Sequence, residues 1–278
     1  DPDTFAEKLK RNLEAKNTLF TKVYGAKPLD YDAMLKEYLA YADQLRPYVS
    51  DTAVALGDLF AAGKNVLFEG AQATYLDIDY GTYPFVTSSN PTAGNAATGS
   101  GIGPRFIDHV IGVVKAYTTR VGEGPFVTEL FDTNGPGTHL RDMGHEYGTV
   151  TGRPRRCGWL DAFMVKNSVR INSLDYIAVT RLDILDDMPT IKMCVGYEID
   201  GKKISTIPAD LRILAKAKPV YEEFQGWMTD ISKMQTYDEL PAAAKKYLAR
   251  LSEVAGVKMG IVSVGPNRNQ TIVLKELF

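Results

Sequence analysis

Two short apolar runs, each followed at once by polar residues, most constrain the fold of this chain. Tyr176-Ile177-Ala178-Val179 runs into Thr180-Arg181-Leu182-Asp183, and Met259-Gly260-Ile261-Val262 runs into Ser263-Val264-Gly265-Pro266. Runs of this length, bounded by turn residues, are typical of strands buried in a parallel sheet. Open α/β sheets bind ligands outside the carboxyl ends of their strands. Both polar stretches are therefore candidates for one ligand-binding edge.

Helical and strand patterns alternate along the chain, which favours an α/β fold with a mainly parallel sheet. A helical segment is predicted over 1–63, with helices near 4–18, 31–46 and 51–61 and a Thr4–Glu7 capping box at its start. Residues 64–278 are predicted to form an α/β nucleotide- and substrate-binding region, which together with 1–63 makes one domain. Further elements are expected as helices over 158–173 and 237–255, strands at 66–68, 113–117, 174–182, 258–264 and 271–274, and a hairpin of 192–199 with 202–206 around Asp200-Gly201.

Composition excludes several classes of protein. Thirty-two Lys and Arg balance 34 Asp and Glu, for a net charge of −2, which argues against a dedicated nucleic-acid binder. No apolar run approaches the ~18 residues of a membrane span. The two cysteines are far apart and the three histidines lack metal-ligand spacing, so a reduced, cytoplasmic protein without a zinc site is expected.

Asp183 is a candidate for reading guanine. A carboxylate at a strand end can accept two hydrogen bonds, and guanine offers a matching pair, its N1–H and its exocyclic amine. Adenine would leave that carboxylate unpaired, at a cost large enough for base selection. Arg181 can lay its planar guanidinium along the purine face. The alternative is an Asp that caps a turn, and the four residues by themselves favour that alternative.

Two further stretches carry polar groups suited to small anions. Arg153, Arg155 and Arg156 follow a Gly/Thr segment, an arrangement that suits carboxylate or phosphate groups and a loop that closes over a substrate. Its alternative is a solvated basic turn. Small residues over 68–74, followed by hydroxyl-rich 86–90, place Gln72 and Thr87 where they can meet a phosphate or base edge. The alternative there is a structural glycine-rich loop.

Long motifs in this chain resemble the adenylosuccinate synthetase family in order and spacing, from the first helix to the last strand. They are Phe68-Glu69-Gly70-Ala71-Gln72, the run from Asp77 to Ser89 (DIDYGTYPFVTSS), Lys115 to Gly122 (KAYTTRVG), Thr151 to Asp161 (TGRPRRCGWLD), and Thr180-Arg181-Leu182-Asp183. The resemblance implies a P-loop-NTPase-like α/β fold with helical and small hairpin additions. It also implies GTP-dependent joining of IMP and L-aspartate to adenylosuccinate, GDP and phosphate, through a 6-phosphorylated IMP, with Mg²⁺ on the nucleotide and a homodimeric enzyme.

The resemblance also implies roles for individual residues, by match of motif. IMP would contact Gln72, Thr87, Val121 and Arg153. Aspartate would contact the stretch Thr149, Val150, Thr151, Gly152, Arg153 and Arg155, in which Val150 replaces a frequent threonine. GTP would contact Arg155, Arg181, Leu182, Asp183, Ser263, Val264, Gly265 and Pro266. Many relatives have lysine at the position of Arg181.

One family feature does not occur in these 278 residues. The family begins with a Gly-Asp-Glu-Gly-Lys-Gly-Lys phosphate loop that supplies the catalytic Asp and a magnesium ligand, and a catalytic His and an Arg donated across the dimer follow. The chain therefore resembles the C-terminal two-thirds of the enzyme, and no catalytic residue or metal ligand is assigned to it. We expect it to be inactive by itself. The alternative is a non-catalytic module that binds guanine nucleotide or IMP.

Overall fold

The computed structural model describes residues 1–148 and 152–276. The chain divides into two compact units, Asp1–Asp58 and Leu59–Phe278. No helix among the described residues is both long and apolar enough to cross a membrane. The predicted division at residue 63, and the union of both parts in one domain, stay predictions.

The first unit is helical, as the periodicity of its apolar residues predicts. Helices α1 (Pro2–Lys22) and α2 (Tyr31–Leu45) are joined by a loop that Asn17 fixes, because its side chain makes two 2.8 Å hydrogen bonds with the backbone of Leu29. Helix α3 (Thr52–Ala61) begins in this unit, and the division at Asp58 falls within it.

The predicted capping box at the start of α1 is wrong. The Asp1 side chain accepts from the Thr4 N–H at 3.0 Å, so the helix begins at Pro2 instead of after Thr4. Proline suits the first helical position, because its missing N–H would have no partner there and its φ is already helical.

The second unit alternates helices and strands. Its helices are α4 (Gly94–Ser100), α5 (Pro136–Met143), α6 (Ala162–Asn172), α7 (Leu211–Leu214) and α8 (Ala242–Ala255). Its strands are β1 (Ile111–Lys115), β2 (Thr118–Arg120), β3 (Arg156–Gly158), β4 (Leu160–Asp161), β5 (Tyr176–Thr180), β6 (Thr190–Ile199), β7 (Lys202–Ile204), β8 (Lys218–Gln225), β9 (Lys258–Ser263) and β10 (Thr271–Val273). The α/β prediction is confirmed.

The central sheet has the order β1-β5-β9-β10. Strands β1, β5 and β9 are parallel, and β10 pairs antiparallel with β9. Ile177 and Val179 are fully buried, as continuous apolar strands in a covered parallel sheet should be. Helix α8 packs against α6 and shares a buried core with the sheet, and its buried Tyr247 donates from Oη to the carbonyl of Ala116 at 2.7 Å.

A second sheet is mostly antiparallel and is centred on β6. It pairs with β7 and β8 antiparallel and with the short β4 parallel. The predicted hairpin at Asp200-Gly201 is confirmed, since both residues have positive φ, 50° and 75°, as a type I′ turn requires. Strand β8 was not predicted, because Pro219 and the adjacent Glu222 and Glu223 break the alternation of polar and apolar residues that is typical of a strand. Strands β2 and β3 form a separate antiparallel pair.

The strand predicted at Val66-Leu67-Phe68 is wrong. The structure gives these residues no strand pairing, and Leu67 is 72% exposed. An apolar run of three residues forms a strand only where a neighbouring strand satisfies its backbone groups, and the described residues supply none beside it.

Candidate functional site

The carboxyl ends of three parallel strands meet at one edge of the central sheet. Pairing sets Lys115 of β1 opposite Thr180 of β5, and Val179 of β5 opposite Val262 of β9. The chain segments that follow β5 and β9 therefore leave the sheet side by side. This juxtaposition of 180–183 with 263–266 is the one that the two apolar runs predict.

Arg181 and Asp183 form the first side of this edge. Arg181 adopts φ 62°, an uncommon conformation for a residue other than glycine, and its Nη1 donates to the carbonyl of Gly144 at 2.6 Å. Asp183 lies in the 3₁₀ turn Leu182–Leu185, whose Leu182 is fully buried. Partial burial raises the pKa of the Asp183 carboxyl. Among residues 1–148 and 152–276, no other residue donates a hydrogen bond to that carboxylate.

The turn after β9 forms the second side, and it is tightly fixed. Ser263 Oγ donates to the carbonyl of Gly265 at 2.8 Å, and the Val264 N–H donates to the carbonyl of Gln270 at 2.9 Å. A Cβ on Gly265 would lie 2.4 Å from the Gln270 side-chain amide, which would then have to shift. Because its N–H is engaged and its side chain is buried, Val264 positions the turn, whereas Pro266 is exposed.

Glu146 is the centre of a charged cluster beside this edge. Its side chain is fully buried and accepts from Lys115 Nζ at 2.6 Å, Tyr117 Oη at 2.7 Å and Arg155 Nη1 at 2.8 Å. Burial opposes ionisation of Glu146, yet these donors hold the pKa of its carboxyl below the usual range. Burial lowers the pKa of Lys115, and the charges of Arg181 and Arg155 act in the same direction. One carboxylate thus holds three segments of chain together.

The three arginines after the Gly/Thr segment have different surroundings. Arg153 is exposed, and its carbonyl accepts from the Gly148 N–H at 2.8 Å. Arg155 is paired with Glu146, and its buried Nε has no acceptor in the described part of the chain. Arg156 is bound to both carboxylate oxygens of Glu129 and to two backbone carbonyls, so its role is structural. Of the predicted aspartate contacts, Thr149, Val150 and Thr151 lie outside the described residues, and Gly152 is exposed with φ 63°.

The residues predicted to contact IMP lie on the long loop and at the end of β2. Gln72 is exposed with φ 65°, and Val121, directly after β2, is 66% exposed. Thr87 is half-buried, and its N–H donates to the carbonyl of Leu76 at 2.8 Å. Arg120 joins the two regions, because its Nη2 donates to Thr82 Oγ1 at 2.9 Å and to the carbonyl of Phe85 at 3.1 Å.

A buried carboxylate also fixes this loop. Asp77 is fully buried and accepts from the backbone of Asp79 and Tyr80 and from the side chains of Asn90 and Thr92. These backbone and side-chain donors hold the pKa of the Asp77 carboxyl low, against the effect of burial. These contacts fix the part of the loop that carries Thr87, whose N–H is bound to Leu76 next to Asp77. Within the described ranges, no group of three or more His, Cys, Asp or Glu residues is placed to hold a metal ion.

A family model described as adenylosuccinate synthetase matches residues 1–272 of this chain. The chain belongs to the adenylosuccinate synthetase family. Relatives named adenylosuccinate synthetase are similar over nearly the whole chain: one from Thermoanaerobacter sp. (strain X514) is 56% identical over 275 residues, and one from Brachyspira hyodysenteriae is 59% identical over 276. Each comparison covers 99% of this chain and 64% of the relative, so the chain spans just under two-thirds of the length of these synthetases.

Solved structures agree with the family and with the fold. The fully ligated adenylosuccinate synthetase from Plasmodium falciparum is similar with a TM-score of 0.91 and 39% identity, over 99% of this chain and 64% of that one. A cyanophage S-2L succinoaminodeoxyadenylate synthetase is similar with a TM-score of 0.50 and 18% identity, which shows a shared fold alone.

Sequence reasoning in this member of the adenylosuccinate synthetase family assigned Arg155 of the charged cluster but gave no role to Lys115, Tyr117 or Glu146. Lys115 carried the same signal as Thr180, a polar residue directly after an apolar run, and could have been found from it. Glu146 carried no such signal, because it lies in a polar stretch outside any strand or helix. Of its three donors, Lys115 and Tyr117 lie 31 and 29 residues earlier in the sequence and Arg155 lies nine residues later. Only the fold brings them together.

Proposed function

We propose that this chain supplies the GTP-, IMP- and aspartate-binding parts of an adenylosuccinate synthetase, which joins IMP and L-aspartate to adenylosuccinate while GTP becomes GDP and phosphate. The observation that carries the proposal is the Asp183 carboxylate beside Arg181, at the carboxyl edge of a parallel sheet, which accepts a hydrogen bond from no other described residue. A half-buried carboxylate that accepts nothing from other residues is costly unless a ligand supplies further donors.

Guanine would satisfy Asp183 with its N1–H and its exocyclic amine. Arg181 would cover the purine face with its guanidinium. The turn Ser263–Pro266 would bound the base on the other side. Adenine offers no such pair of donors, so the same carboxylate would select against it.

The charged cluster suits the anionic parts of the substrates. Lys115 and Arg155 carry two positive charges against the single negative charge of Glu146, which leaves a net charge of +1 on these three side chains. Arg155 keeps its Nε for an oxygen of the GTP phosphates or ribose. Charge-assisted hydrogen bonds from guanidinium groups are the stronger class and match phosphate geometry.

IMP and aspartate would bind next to this cluster. Gln72, Thr87, Val121 and Arg153 are proposed to contact IMP. Arg153, together with Thr149, Val150, Thr151, Gly152 and Arg155, is proposed to hold aspartate. Arg153 is exposed directly after the segment that would contact the substrate carboxylates, which suits a shared role in both sites.

Other features of the enzyme are proposed from the family alone. They are a homodimer, a cytoplasmic location, Mg²⁺ with the nucleotide, and acid–base residues in sequence that these 278 residues do not contain. Among the described residues, no group of three or more His, Cys, Asp or Glu is placed to hold a metal ion, and we assign the ion no step.

The proposal is tested by assaying the full-length gene product that carries this chain for GTP-dependent formation of adenylosuccinate. The 278-residue polypeptide is assayed beside it and is expected to show almost no turnover, because losing a general base costs roughly 10²–10⁴-fold in rate. It should nevertheless bind GDP in preference to ADP. A full-length product that neither forms adenylosuccinate nor binds GDP would refute the proposed function.

A further inference from the structure

The segment Gly144–Gly148 lies between the two substrate regions and is attached to both. On one side, the carbonyl of Gly144 accepts from Arg181 Nη1 at 2.6 Å. On the other, the carbonyl of Glu146 accepts from the Arg155 N–H, and the N–H of Gly148 donates to the carbonyl of Arg153, both at 2.8 Å. Five residues thus connect the proposed guanine-binding arginine with the two proposed aspartate-binding arginines.

The middle of this segment is packed too tightly to deform freely. A Cβ on Gly144 would lie 2.3 Å from Tyr117 Oη, so the backbone there touches the Tyr117 side chain. Residue His145 has φ 48°, which is uncommon for a side chain of its size. The buried Glu146 carboxylate holds Lys115 and Tyr117, which lie at and after the end of β1, at 2.6 and 2.7 Å.

These contacts tie Gly144, Glu146 and Gly148 to the neighbouring parts of the chain. Hydrogen bonds to a buried ionised group are stronger than those at the surface, because the surrounding dielectric constant is low. A shift of the Gly144 carbonyl therefore displaces Glu146, and with it Arg155, which is bound to Glu146 through both its backbone and its guanidinium. Arg153 would be displaced as well, because its carbonyl accepts a hydrogen bond from the Gly148 N–H.

We propose that Glu146 is a positioning residue that couples guanine-nucleotide binding at Arg181 to aspartate binding at Arg153 and Arg155. The inference rests on the proposed function. Guanine stacked on Arg181 changes the position of the donor that holds Gly144, and the segment transmits the change to the arginines. Because coupling between two binding sites is reciprocal, aspartate tightens guanine-nucleotide binding by the same factor.

The experiment measures aspartate affinity by titration calorimetry on the full-length gene product, with saturating IMP and with or without GDP. In the unmodified protein, GDP is expected to tighten aspartate binding about fivefold or more, the usual lower range for coupled sites. Glu146→Gln keeps the size of the side chain but removes the charge that binds Lys115 and Arg155. It is expected to reduce the effect of GDP to less than about twofold, while GDP still binds.

Two further variants separate coupling from general damage. Glu129→Gln weakens another largely buried carboxylate–arginine pair, that with Arg156, which lies outside the segment, and it should keep the unmodified coupling. Tyr117→Phe removes one neutral donor to Glu146 and should lower the coupling partway without changing GDP affinity measured alone. If Glu146→Gln does not fold, the Tyr117→Phe result decides.

The outcomes distinguish this inference from the proposed function. Full coupling in Glu146→Gln or, if that variant does not fold, in Tyr117→Phe overturns the inference. Tight GDP and aspartate binding without any coupling in the unmodified protein also overturns it and leaves the proposed function intact. Failure of the unmodified protein to bind GDP overturns the proposed function itself.

Discussion

Glu146 and Asp183 are two carboxylates near the same edge of one sheet, and their surroundings are opposite. Glu146 is fully buried and has three donors within 2.8 Å. Asp183 is half-buried and receives no hydrogen bond from any other residue in the described ranges. The pKa values of the two carboxyl groups differ in the same sense. Hydrogen-bond donors hold the pKa of Glu146 low, whereas burial raises the pKa of Asp183.

The contrast separates a carboxylate that builds the protein from one that is available to a ligand. A carboxylate with all its partners inside the chain contributes to folding, and removing it leaves buried cations unpaired. One without partners destabilises the folded chain and is retained where binding supplies the missing donors. Nearby Asp186 belongs to the first kind, since Trp227 Nε1 and the Ile231 N–H donate to it at 2.7 and 3.0 Å.

The largest expected effect is on stability. Glu146→Gln should lower the free energy of unfolding by about 3–5 kcal/mol, the usual cost of breaking a buried ion pair from one side. Asp183→Asn should change it by less than about 1 kcal/mol, because the side chain accepts no hydrogen bond from another described residue. Urea unfolding of both variants measures the difference. If both variants lost the same free energy of unfolding, Glu146 would not differ from Asp183 in its contribution to stability.

A smaller effect is expected at the arginines. Arg153→Ala should raise the aspartate requirement of the full-length gene product by roughly ten- to a hundredfold, since a charge-assisted pair contributes ~1.5–3 kcal/mol. Its GTP requirement should change far less. Steady-state constants for aspartate, IMP and GTP decide the matter.

Arg155→Ala is the matched control for Arg153→Ala, because it removes the cation that pairs with Glu146. It should reduce stability as well as substrate affinity. If Arg153→Ala leaves both the aspartate constant and the turnover unchanged, the stretch around Arg153 is only a solvated turn.

The smallest expected effect is on pH dependence, and its signs differ between the two carboxylates. Glu146 has a lowered pKa, so the stability it contributes is present above its unfolded pKa and is lost as the pH falls through its folded one. Asp183 has a raised pKa, so its contribution to stability falls as the pH rises through that value.

Binding of guanine by Asp183 should show the reverse of its stability trend, since only the ionised carboxylate accepts both hydrogen bonds. GDP affinity should fall as the pH drops through the raised pKa, by at most about tenfold per pH unit. Asp183→Asn should lack this slope. Calorimetry of both proteins between acidic and neutral pH would contradict the assignment if their slopes were the same.

The sequence predicted the parts of the molecule that depend on local pattern. The runs Tyr176–Val179 and Met259–Val262 gave the parallel strands β5 and β9, and with them the meeting of Asp183 and the turn Ser263–Pro266. Buried strands are recognised because every residue of the run is apolar or small. The hairpin at Asp200-Gly201 was equally local.

The parts that depend on distant partners could not be predicted. Val66-Leu67-Phe68 has the composition of a strand, but pairing with a neighbouring strand decides whether one forms. Glu146 becomes the centre of a cluster only because the fold buries it between Lys115, Tyr117 and Arg155. Arg156 shares a short motif with Arg153 and Arg155, yet its guanidinium donates to the carboxylate of Glu129, 27 residues earlier in the sequence.

The most direct test of base recognition by Asp183 compares GTP, XTP and ATP as substrates of the unmodified full-length gene product and of its Asp183→Asn variant. The variant should lose GTP use by ~10²-fold or more, through lost charge-assisted hydrogen bonds and an unmatched donor. XTP should restore part of the activity, because its C2 carbonyl accepts from the new amide where guanine carries an amine. If the variant keeps the unmodified preference for GTP over XTP, Asp183 does not read the base and serves only as a turn residue.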